Sequence, residues 1–268
     1  MRFLCLHGKG TSASIFKSQT TSFRAKLNPS FTFDFVDGFL ASPPAAGIDL
    51  FYPPPYYSFW NTFAIPDIRR AHAWLRDLLA RDGPYDGVMC FSQGCSLIAS
   101  FCLYHQAETP DEPLPFKTAV FICGGAPMQA LEDLGIEVSP QARDMDSKSS
   151  KALAEQASTD AILKSGIDRW QNAHGARSDS GVPLDPSNVF GLDFTQMPAH
   201  LRIKIPTVHI YGNKDPRCPA SLQLSHFSDP RLTKAYDHGG GHEVPRTSEV
   251  SEKIAQLVEW SAVATRVG

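Results

Sequence analysis

Cys90-Phe91-Ser92-Gln93-Gly94 is the stretch that decides the fold of this chain. The apolar run 85–90 predicts a short buried strand, and the apolar run 95–103 predicts a buried helix. A serine between a strand and a helix, with glycine two positions later, is typical of a nucleophile elbow, a strained turn that exposes the serine hydroxyl above the sheet. The usual motif has glycine where this chain has Cys90, which is also small. A plain helix N-cap is the alternative role for Ser92, so the surrounding sequence has to distinguish the two.

The segments on both sides of this turn alternate between strand and helix patterns. Predicted strands cover residues 2–7, 31–36, 85–90, 117–123, 206–211 and 232–236, and predicted helices cover 13–27, 66–82, 95–103, 219–227 and 247–264. Strands that alternate with helices across glycine-rich turns indicate a parallel sheet covered by helices. We therefore expect an α/β fold in one domain over residues 1–268, with a mainly parallel sheet of about six strands.

A long irregular segment, residues 39–63, interrupts the alternation and carries a dense group of aromatic side chains. Loops of this length are usually functional or disordered, and the aromatic content argues against disorder. The aromatic residues either seal the edge of the sheet or form one wall of an apolar pocket. For the pocket wall we select Tyr56, Tyr57, Phe59 and Trp60.

Residues 125–200 form a second interruption. Helix-forming residues dominate 144–170, whereas 175–198 is polar and rich in Gly, Pro, Ser and Asp. The low apolar content does not support a separate domain. We predict an inserted cap or lid of one or two helices plus loops, and we expect substrate to bind between this cap and the aromatic loop, where ligands of parallel sheets bind.

Composition narrows the class of protein. The 268 residues are 42% hydrophobic and 20% charged, with a net charge of −3 and no basic cluster, so nucleic acid or a membrane surface has no electrostatic support as a partner. No apolar run approaches the roughly 20 residues of a membrane helix, and the start of the chain predicts a strand instead of a signal-peptide core. The six cysteines lack metal-ligand spacing and lie mostly in apolar segments, which predicts reduced core thiols in a cytoplasmic protein.

Three candidate catalytic groups follow the carboxyl ends of predicted strands. A serine hydroxyl becomes a nucleophile only when a base takes its proton, and the base needs a third group to orient it. Ser92, Asp215 and His242 occupy such strand ends in the order Ser, Asp, His, which is the chain order of α/β-hydrolases. His242 lies in a glycine-rich loop with room for an imidazole.

Other residues compete for the base and the acid. His238 precedes three glycines and is the nearest rival of His242, while Asp229 and Asp237 compete with Asp215. We favour His242 because the sequence after it leads directly into the last helix. We favour Asp215 because it follows a buried strand directly.

A developing oxyanion needs two preorganised backbone donors. The N–H of Gln93 lies at the start of the buried helix, where the helix dipole also favours negative charge. The turn after the first strand should supply the second donor, and we select the N–H of Lys9. We expect His7 to support this turn and not to act as a second base.

Six short motifs occur together and in order, and with them the chain resembles the fungal serine hydrolases of the α/β-hydrolase superfamily. That group includes stand-alone thioesterases and esterases of fungal polyketide pathways of the lovastatin type. The similarity covers residues 1–124 and 205–262, and it does not extend to 125–200. The motifs are His7-Gly8-Lys9-Gly10-Thr11, Phe33-Asp34-Phe35-Val36-Asp37-Gly38, Tyr56-Tyr57-Ser58-Phe59-Trp60, Gly83-Pro84-Tyr85-Asp86-Gly87, Phe91-Ser92-Gln93-Gly94 and Gly240-Gly241-His242-Glu243-Val244-Pro245.

The resemblance implies an α/β-hydrolase fold whose strands lie in the spatial order second, first, third, fourth, fifth, sixth. It also implies a serine hydrolase of secondary metabolism that cleaves a small-molecule ester or thioester, either free or bound to an acyl carrier protein. No cofactor or metal is implied, and no residue pattern specifies an oligomeric state. An acyltransferase or cyclase with the same triad is one alternative, and a catalytically silent binding protein of this fold is another.

Overall fold

The computed structural model describes residues 1–170 and 184–265. Its strands are β1 (Arg2–Leu6), β2 (Thr32–Val36), β3 (Leu40–Ala41), β4 (Tyr57–Ser58), β5 (Gly87–Phe91), β6 (Thr118–Ile122), β7 (Thr207–Tyr211) and β8 (Thr233–Asp237). Its α-helices are α1 (Ala13–Gln19), α2 (Thr21–Arg24), α3 (Ile65–Asp82), α4 (Gln93–Glu108), α5 (Met128–Asp133), α6 (Pro140–Gln156), α7 (Thr159–Ser165), α8 (Cys218–His226) and α9 (Ser248–Ala264). Among these helices, none combines the length and the apolar character needed to cross a bilayer.

Six strands form one parallel sheet in the order β2-β1-β5-β6-β7-β8. This is the predicted order: the second sheet strand along the chain lies at the edge, the first lies next to it, and the others follow in chain order. β3 and β4 form a separate antiparallel pair. In a parallel sheet the carboxyl ends of all strands lie at the same edge. The segments that follow β1, β5, β6, β7 and β8 therefore meet at this carboxyl edge.

Alternation along the central strands builds two hydrophobic layers, one on each face of the sheet. Leu4, Val88 and Phe121 belong to the layer that also contains residues of α3 and α4. Their chain neighbours point to the opposite face, where Phe3 and Val120 join residues of α1, α2 and α9. Both faces are therefore covered by helices, as all-parallel sheets require.

Three regions differ from the sequence-based expectation. The helix predicted over 13–27 is two helices, because the chain turns at Thr20, whose hydroxyl donates to the carbonyl of Phe16. The loop 39–63 contains the β3–β4 pair and a short 3-10 helix, Ile48–Leu50.

The third difference lies in the connection from β6 to β7, whose described residues contain three α-helices, α5, α6 and α7, where one or two were predicted. The stretch 184–198 is polar in sequence, yet Val189, Leu192 and Phe194 are buried and join the layer on the α3–α4 side. Three apolar residues among many polar ones do not produce a helical or strand period, so the pattern gave no signal of this burial. Part of the predicted polar loop region, 171–183, lies outside the described residues.

Candidate active site

Ser92 occupies a sharp turn between β5 and α4. Its backbone has φ 50° and ψ −112°, an unfavourable region for a residue with a side chain. The Ser92 N–H donates to the carbonyl of Ile122 on the neighbouring strand at 3.0 Å. A Cβ at Gly94 would lie 2.5 Å from the carbonyl oxygen of Leu6, so only glycine lets the first turn of α4 pass the end of β1. The predicted strand–turn–helix setting is present.

Cys90 takes the place of the usual motif glycine without disturbing this turn. Its side chain is fully buried in the layer between the sheet and α4, and its Sγ lies 3.4 Å from the carbonyl oxygen of Val120. The Sγ of Cys95, on the first turn of α4, lies 3.1 Å from the carbonyl oxygen of Cys90. Two compact thiols therefore fill the space where strand and helix approach, and burial holds the pKa of Cys90 well above its ordinary value.

Ser92, His242 and Asp215 come together at the carboxyl edge of the sheet. The Oγ of Ser92 lies 3.0 Å from Nε2 of His242, and Nδ1 of His242 lies 2.8 Å from Oδ2 of Asp215. Asp215 is fully buried in the turn after β7, and the loop after β8 carries His242. The ring of Phe91 packs against the imidazole with 5.2 Å between ring centroids.

The surroundings of Asp215 determine which ring nitrogen of His242 carries the proton. A buried carboxylate needs hydrogen-bond donors, and the backbone N–H of Arg217 donates to its Oδ1 at 2.7 Å. Its Oδ2 accepts from Nδ1–H of His242. With the proton on Nδ1, the Nε2 of His242 is free to accept the hydroxyl proton of Ser92. This arrangement can activate a serine for attack on a carbonyl.

The sequence rivals of these residues have other contacts. Nδ1 of His238 accepts the N–H of Gly240 at 3.2 Å, its Nε2 lies 3.8 Å from Sγ of Cys123, and burial lowers the pKa of this histidine. Asp229 accepts the N–H of Arg231 at 2.9 Å and caps a short 3-10 helix.

The third rival, Asp237, accepts two backbone N–H groups, one from the loop after β7 and one from the loop after β8. Asn213 donates at 3.0 Å and Gly239 at 2.8 Å, both to Oδ1. Asp237 therefore ties the loop after β7 to the loop after β8. It supports the segments that carry Asp215 and His242 without replacing either.

The two selected oxyanion donors belong to the residue after Ser92 and to the turn after β1. Gln93 is the first residue of α4, and Lys9 is exposed in the turn after β1. The N–H of Gly10 donates to the carbonyl of Tyr57 at 2.9 Å and is therefore occupied. Within the described ranges, no acceptor is found for the N–H of Lys9 or of Gln93. Both remain available to a ligand.

The four selected aromatic residues have different surroundings. Phe59 and Trp60 are buried in the core, and the Gln93 side chain holds their backbone, accepting the N–H of Phe59 at 3.0 Å and donating to the carbonyl of Trp60 at 2.8 Å. Tyr56 is mostly buried and donates to the carbonyl of Tyr52. Tyr57 is half-buried in β4. The residue after Ser92 thus anchors the aromatic loop, a link that sequence reasoning missed.

Cys123 is a further neighbour of the site that sequence reasoning did not select. It follows β6 and has a backbone φ of 50°. Its Sγ, one ligand atom of Asp215 and one of His242 all lie within 4.8 Å of one another. Within 1–170 and 184–265 this is the one group of three side chains that could ligate a metal ion. Nδ1 of His242 and Oδ2 of Asp215 are already hydrogen-bonded to each other, and burial raises the pKa of the Cys123 thiol. A cation would have to replace that hydrogen bond. No repeat or spacing in the sequence signals this position.

Known proteins resemble this chain over nearly its whole length. A family model described as Serine hydrolase (FSH1) matches residues 1–254. The esterase alnB of Emericella nidulans is 31% identical over 280 residues, covering 97% of this chain and 96% of alnB. The esterase FPY3 of Fusarium mangiferae is 30% identical over 272 residues, covering 100% of both chains.

Solved structures with the same fold include esterases. The esterase RhEst1 of a Rhodococcus species matches with a TM-score of 0.53 at 15% identity, covering 98% of this chain and 91% of RhEst1. A SOBER1 variant of Arabidopsis thaliana matches with a TM-score of 0.50 at 12% identity, covering 98% of this chain and 100% of that one. At such identities the likeness concerns the fold alone, and with the sheet order it confirms the predicted α/β-hydrolase fold.

Proposed function

The chain belongs to the serine hydrolase (FSH1) family and is an esterase-type enzyme, and on this basis we propose that it cleaves an ester or thioester of a polyketide-type secondary metabolite through a covalent acyl-enzyme on Ser92. One observation carries the proposal. The Oγ of Ser92 lies 3.0 Å from Nε2 of His242, whose Nδ1 lies 2.8 Å from the buried carboxylate of Asp215. A serine, a base and an orienting acid in hydrogen-bond reach are what acyl transfer needs.

In the proposed reaction, His242 takes the hydroxyl proton while Oγ of Ser92 bonds to the acyl carbon. The carbonyl oxygen becomes an oxyanion and accepts the N–H groups of Lys9 and Gln93. The tetrahedral intermediate expels the alcohol or thiol, which takes the proton from Nε2 of His242. Water then repeats the sequence: His242 removes its proton, the new oxygen bonds to the acyl carbon, and Ser92 leaves with the proton. Asp215 stabilises the imidazolium in both halves.

We locate the acyl pocket between the aromatic loop and the predicted cap, 125–200. These segments approach each other, since a Cβ at Gly47 would fall 2.0 Å from Cδ1 of Ile162 on α7. Arg246, four residues after His242, donates to the hydroxyl of Tyr52 at 2.9 Å. This hydrogen bond joins the aromatic loop to the segment that follows His242. Apolar acyl groups should be preferred there, because isolated charges are costly in a dry site.

The cysteines support a reducing compartment. All six are buried free thiols, which is the usual state in the cytoplasm and not in secreted proteins. We assign the enzyme to the cytoplasm on this ground.

A fluorophosphonate probe tests the nucleophile. We expect it to add one covalent label to the wild-type protein, and Ser92→Ala to remove both the label and at least about a thousandfold of turnover. Ser96→Ala is the matched control, because Ser96 lies one helical turn away with its hydroxyl on the carbonyl of Gly125. Labelling that persists in Ser92→Ala would exclude this serine as the nucleophile.

A panel of acyl thioesters and aryl esters in ¹⁸O-water tests the reaction. Hydrolysis incorporates one ¹⁸O into the carboxyl product, whereas an acyltransferase or cyclase gives an ester, amide or lactone without it. Free thioesters and the same acyl groups on an acyl carrier protein, compared by kcat/KM, test whether a carrier presents the substrate. Products without ¹⁸O in the presence of an acceptor would replace the hydrolase with the transferase alternative.

A further inference from the structure

The peptide between Gly8 and Lys9 is held from one side by two side chains. The hydroxyl of Thr11 donates to the carbonyl oxygen of Gly8 at 2.7 Å, and Nδ1 of His7 lies 2.7 Å from the same oxygen. This peptide is trans, so its C=O and N–H point in opposite directions. Fixing the carbonyl toward His7 and Thr11 therefore fixes the N–H of Lys9 to point away from them.

The protonation of His7 follows from its two ring contacts. The backbone N–H of Gly38 donates to Nε2 of His7 at 2.9 Å, so Nε2 acts as an acceptor and the proton lies on Nδ1. Nδ1–H then donates to the carbonyl of Gly8. The ring is fully buried, packs against Phe59 with 5.1 Å between ring centroids, and burial lowers the pKa of His7, which keeps the imidazole neutral. Both nitrogens are occupied, so His7 is not available as a second base.

The held peptide borders the nucleophile. A Cβ at Gly8 would lie 3.3 Å from Cβ of Ser92 and 3.0 Å from the Phe91 ring. The next N–H along the turn, that of Gly10, is already bonded to Tyr57. The N–H of Lys9, in contrast, is oriented by its peptide and has no acceptor among the described residues.

We propose that His7 and Thr11 are positioning residues that hold the Gly8–Lys9 peptide so that the Lys9 N–H points to the oxyanion of the tetrahedral intermediate. This inference rests on the proposed function and deepens it. A carbonyl that accepts two hydrogen bonds polarises its peptide, which strengthens the N–H on the other side. A donor fixed before the reaction stabilises the transition state without reorganisation.

Thr11→Val tests the inference because it removes the hydroxyl and nearly keeps the shape. Loss of one oxyanion donor lowers kcat by about 10²–10³-fold, and loosening its peptide should cost part of that, about 10-fold to 100-fold, with KM changed less than about twofold. Affinity for an aryl boronic acid, which forms a tetrahedral anion on the serine, should fall with kcat/KM. Thr11→Ser restores the hydroxyl and should recover most of the lost kcat.

Thr20→Val is the matched control. Thr20 is equally buried and its hydroxyl donates to the carbonyl of Phe16 in α1, away from the site. We expect it to lower the melting temperature about as much as Thr11→Val while leaving kcat and boronate affinity unchanged. His7→Asn, which keeps a donor near the Nδ1 position, should lose less boronate affinity than His7→Ala.

Two results would overturn the inference: a Thr11→Val enzyme with unchanged kcat, or one whose kcat falls without loss of boronate affinity. Either result leaves the proposed function standing if fluorophosphonate still labels Ser92 in the same preparation. Failure of the wild-type protein to label at Ser92 would instead remove the proposed function, so the two failures are distinguishable.

Discussion

The central strands and the middle of the β6–β7 connection differ sharply in buried surface. All five residues of β5, of β6 and of β7 are buried. Of the 17 residues of α6 only Ala142 and Ser149 are buried, and α7 buries none. Burial of apolar surface is the dominant favourable contribution to folding. The strands that precede Ser92 and Asp215 are thus firmly packed, whereas α6 and α7 bury few side chains and should have low local stability.

The side chain of Arg217 makes a polar connection between the turn after β7 and α6. The guanidinium of Arg217 donates to the carbonyl and carboxylate of Asp146 and to the hydroxyls of Ser149 and Ser150, all on α6, at 2.7–2.9 Å. The backbone N–H of the same residue donates to Asp215. The contrast between a rigid sheet and a lightly held connection therefore has a defined junction, and it can be tested from either side.

The largest effect is expected on the sheet side, from Asp215→Asn. The asparagine oxygen can still accept the N–H of Arg217, but its amide would donate to Nδ1 of His242 and leave the proton on Nε2. Ser92 would then lose its base, and kcat should fall by about 10⁴-fold. Asp229→Asn is the matched control and should retain wild-type kcat, because Asp229 caps a 3-10 helix outside the site. Steady-state kinetics decide, and similar losses in both variants would contradict the assignment.

The next effect concerns stability. Phe121 on β6 is 1% exposed and stacks on His209 with 5.0 Å between ring centroids, so Phe121→Ala should lower the free energy of unfolding by about 3–5 kcal/mol. Leu163 on α7 is 72% exposed, and Leu163→Ala should change it by less than about 0.5 kcal/mol. Urea titrations measure both. Comparable losses would mean that α7 is as firmly packed as the sheet.

A smaller effect should come from the junction. Arg217→Met keeps the aliphatic stem but removes the donors to α6, and hydrogen bonds of charged groups contribute about 1.5–3 kcal/mol. Hydrogen exchange in peptides of α6 should rise at least about tenfold, while that of β5 and β6 stays unchanged. Arg231→Met is the control, since Arg231 pairs with Asp229 but is 86% exposed. Faster exchange in the strands as well would show that the two regions unfold together.

The effect that should be smallest near neutral pH is a pH dependence of stability that arises from two buried histidines, His72 on α3 and His209 on β7. Burial lowers the pKa of His72 and of His209 to about 3, whereas the pKa of a histidine in the unfolded chain is about 6.5. Between these values the unfolded chain binds the additional proton. The free energy of unfolding is therefore unaffected by these groups above the unfolded pKa and falls as the pH drops, by up to about 1.4 kcal/mol per pH unit for each group.

His209→Gln should make this fall shallower, because the variant has no imidazole to protonate. Its amide can still reach Thr207 and Ser228, the present partners of Nε2. His200→Gln is the exposed control in the β6–β7 connection. Unfolding curves at several pH values measure the slopes, and an unchanged slope in His209→Gln would exclude His209 as a source of the acid sensitivity.

Most of the secondary structure was predictable because its signals are local. The sheet strands, α3 and α9 were predicted to within about two residues, since apolar periodicity and glycine or proline breaks lie within each element, whereas α4 extends to Glu108, beyond its predicted end at 103. The break at Thr20 and the burial of Val189, Leu192 and Phe194 were not. The hydroxyl of Thr20 bonds to a backbone carbonyl, and the three apolar side chains pack against distant parts of the chain. Neither contact leaves a pattern in the local sequence.

For the site, the sequence by itself determined the elbow at Ser92 and a short group of acids and bases at strand ends. Only the tertiary structure shows which of them meet, because Ser92 and His242 are 150 positions apart and come together only when the sheet forms. The tertiary structure also decided that Gln93 holds the aromatic loop, that Gly38 determines the protonation of His7, and that Arg217 binds α6. The physical reason is common to all: hydrogen-bond direction depends on how separate elements pack, whereas the tendency to form each element is written in neighbouring residues.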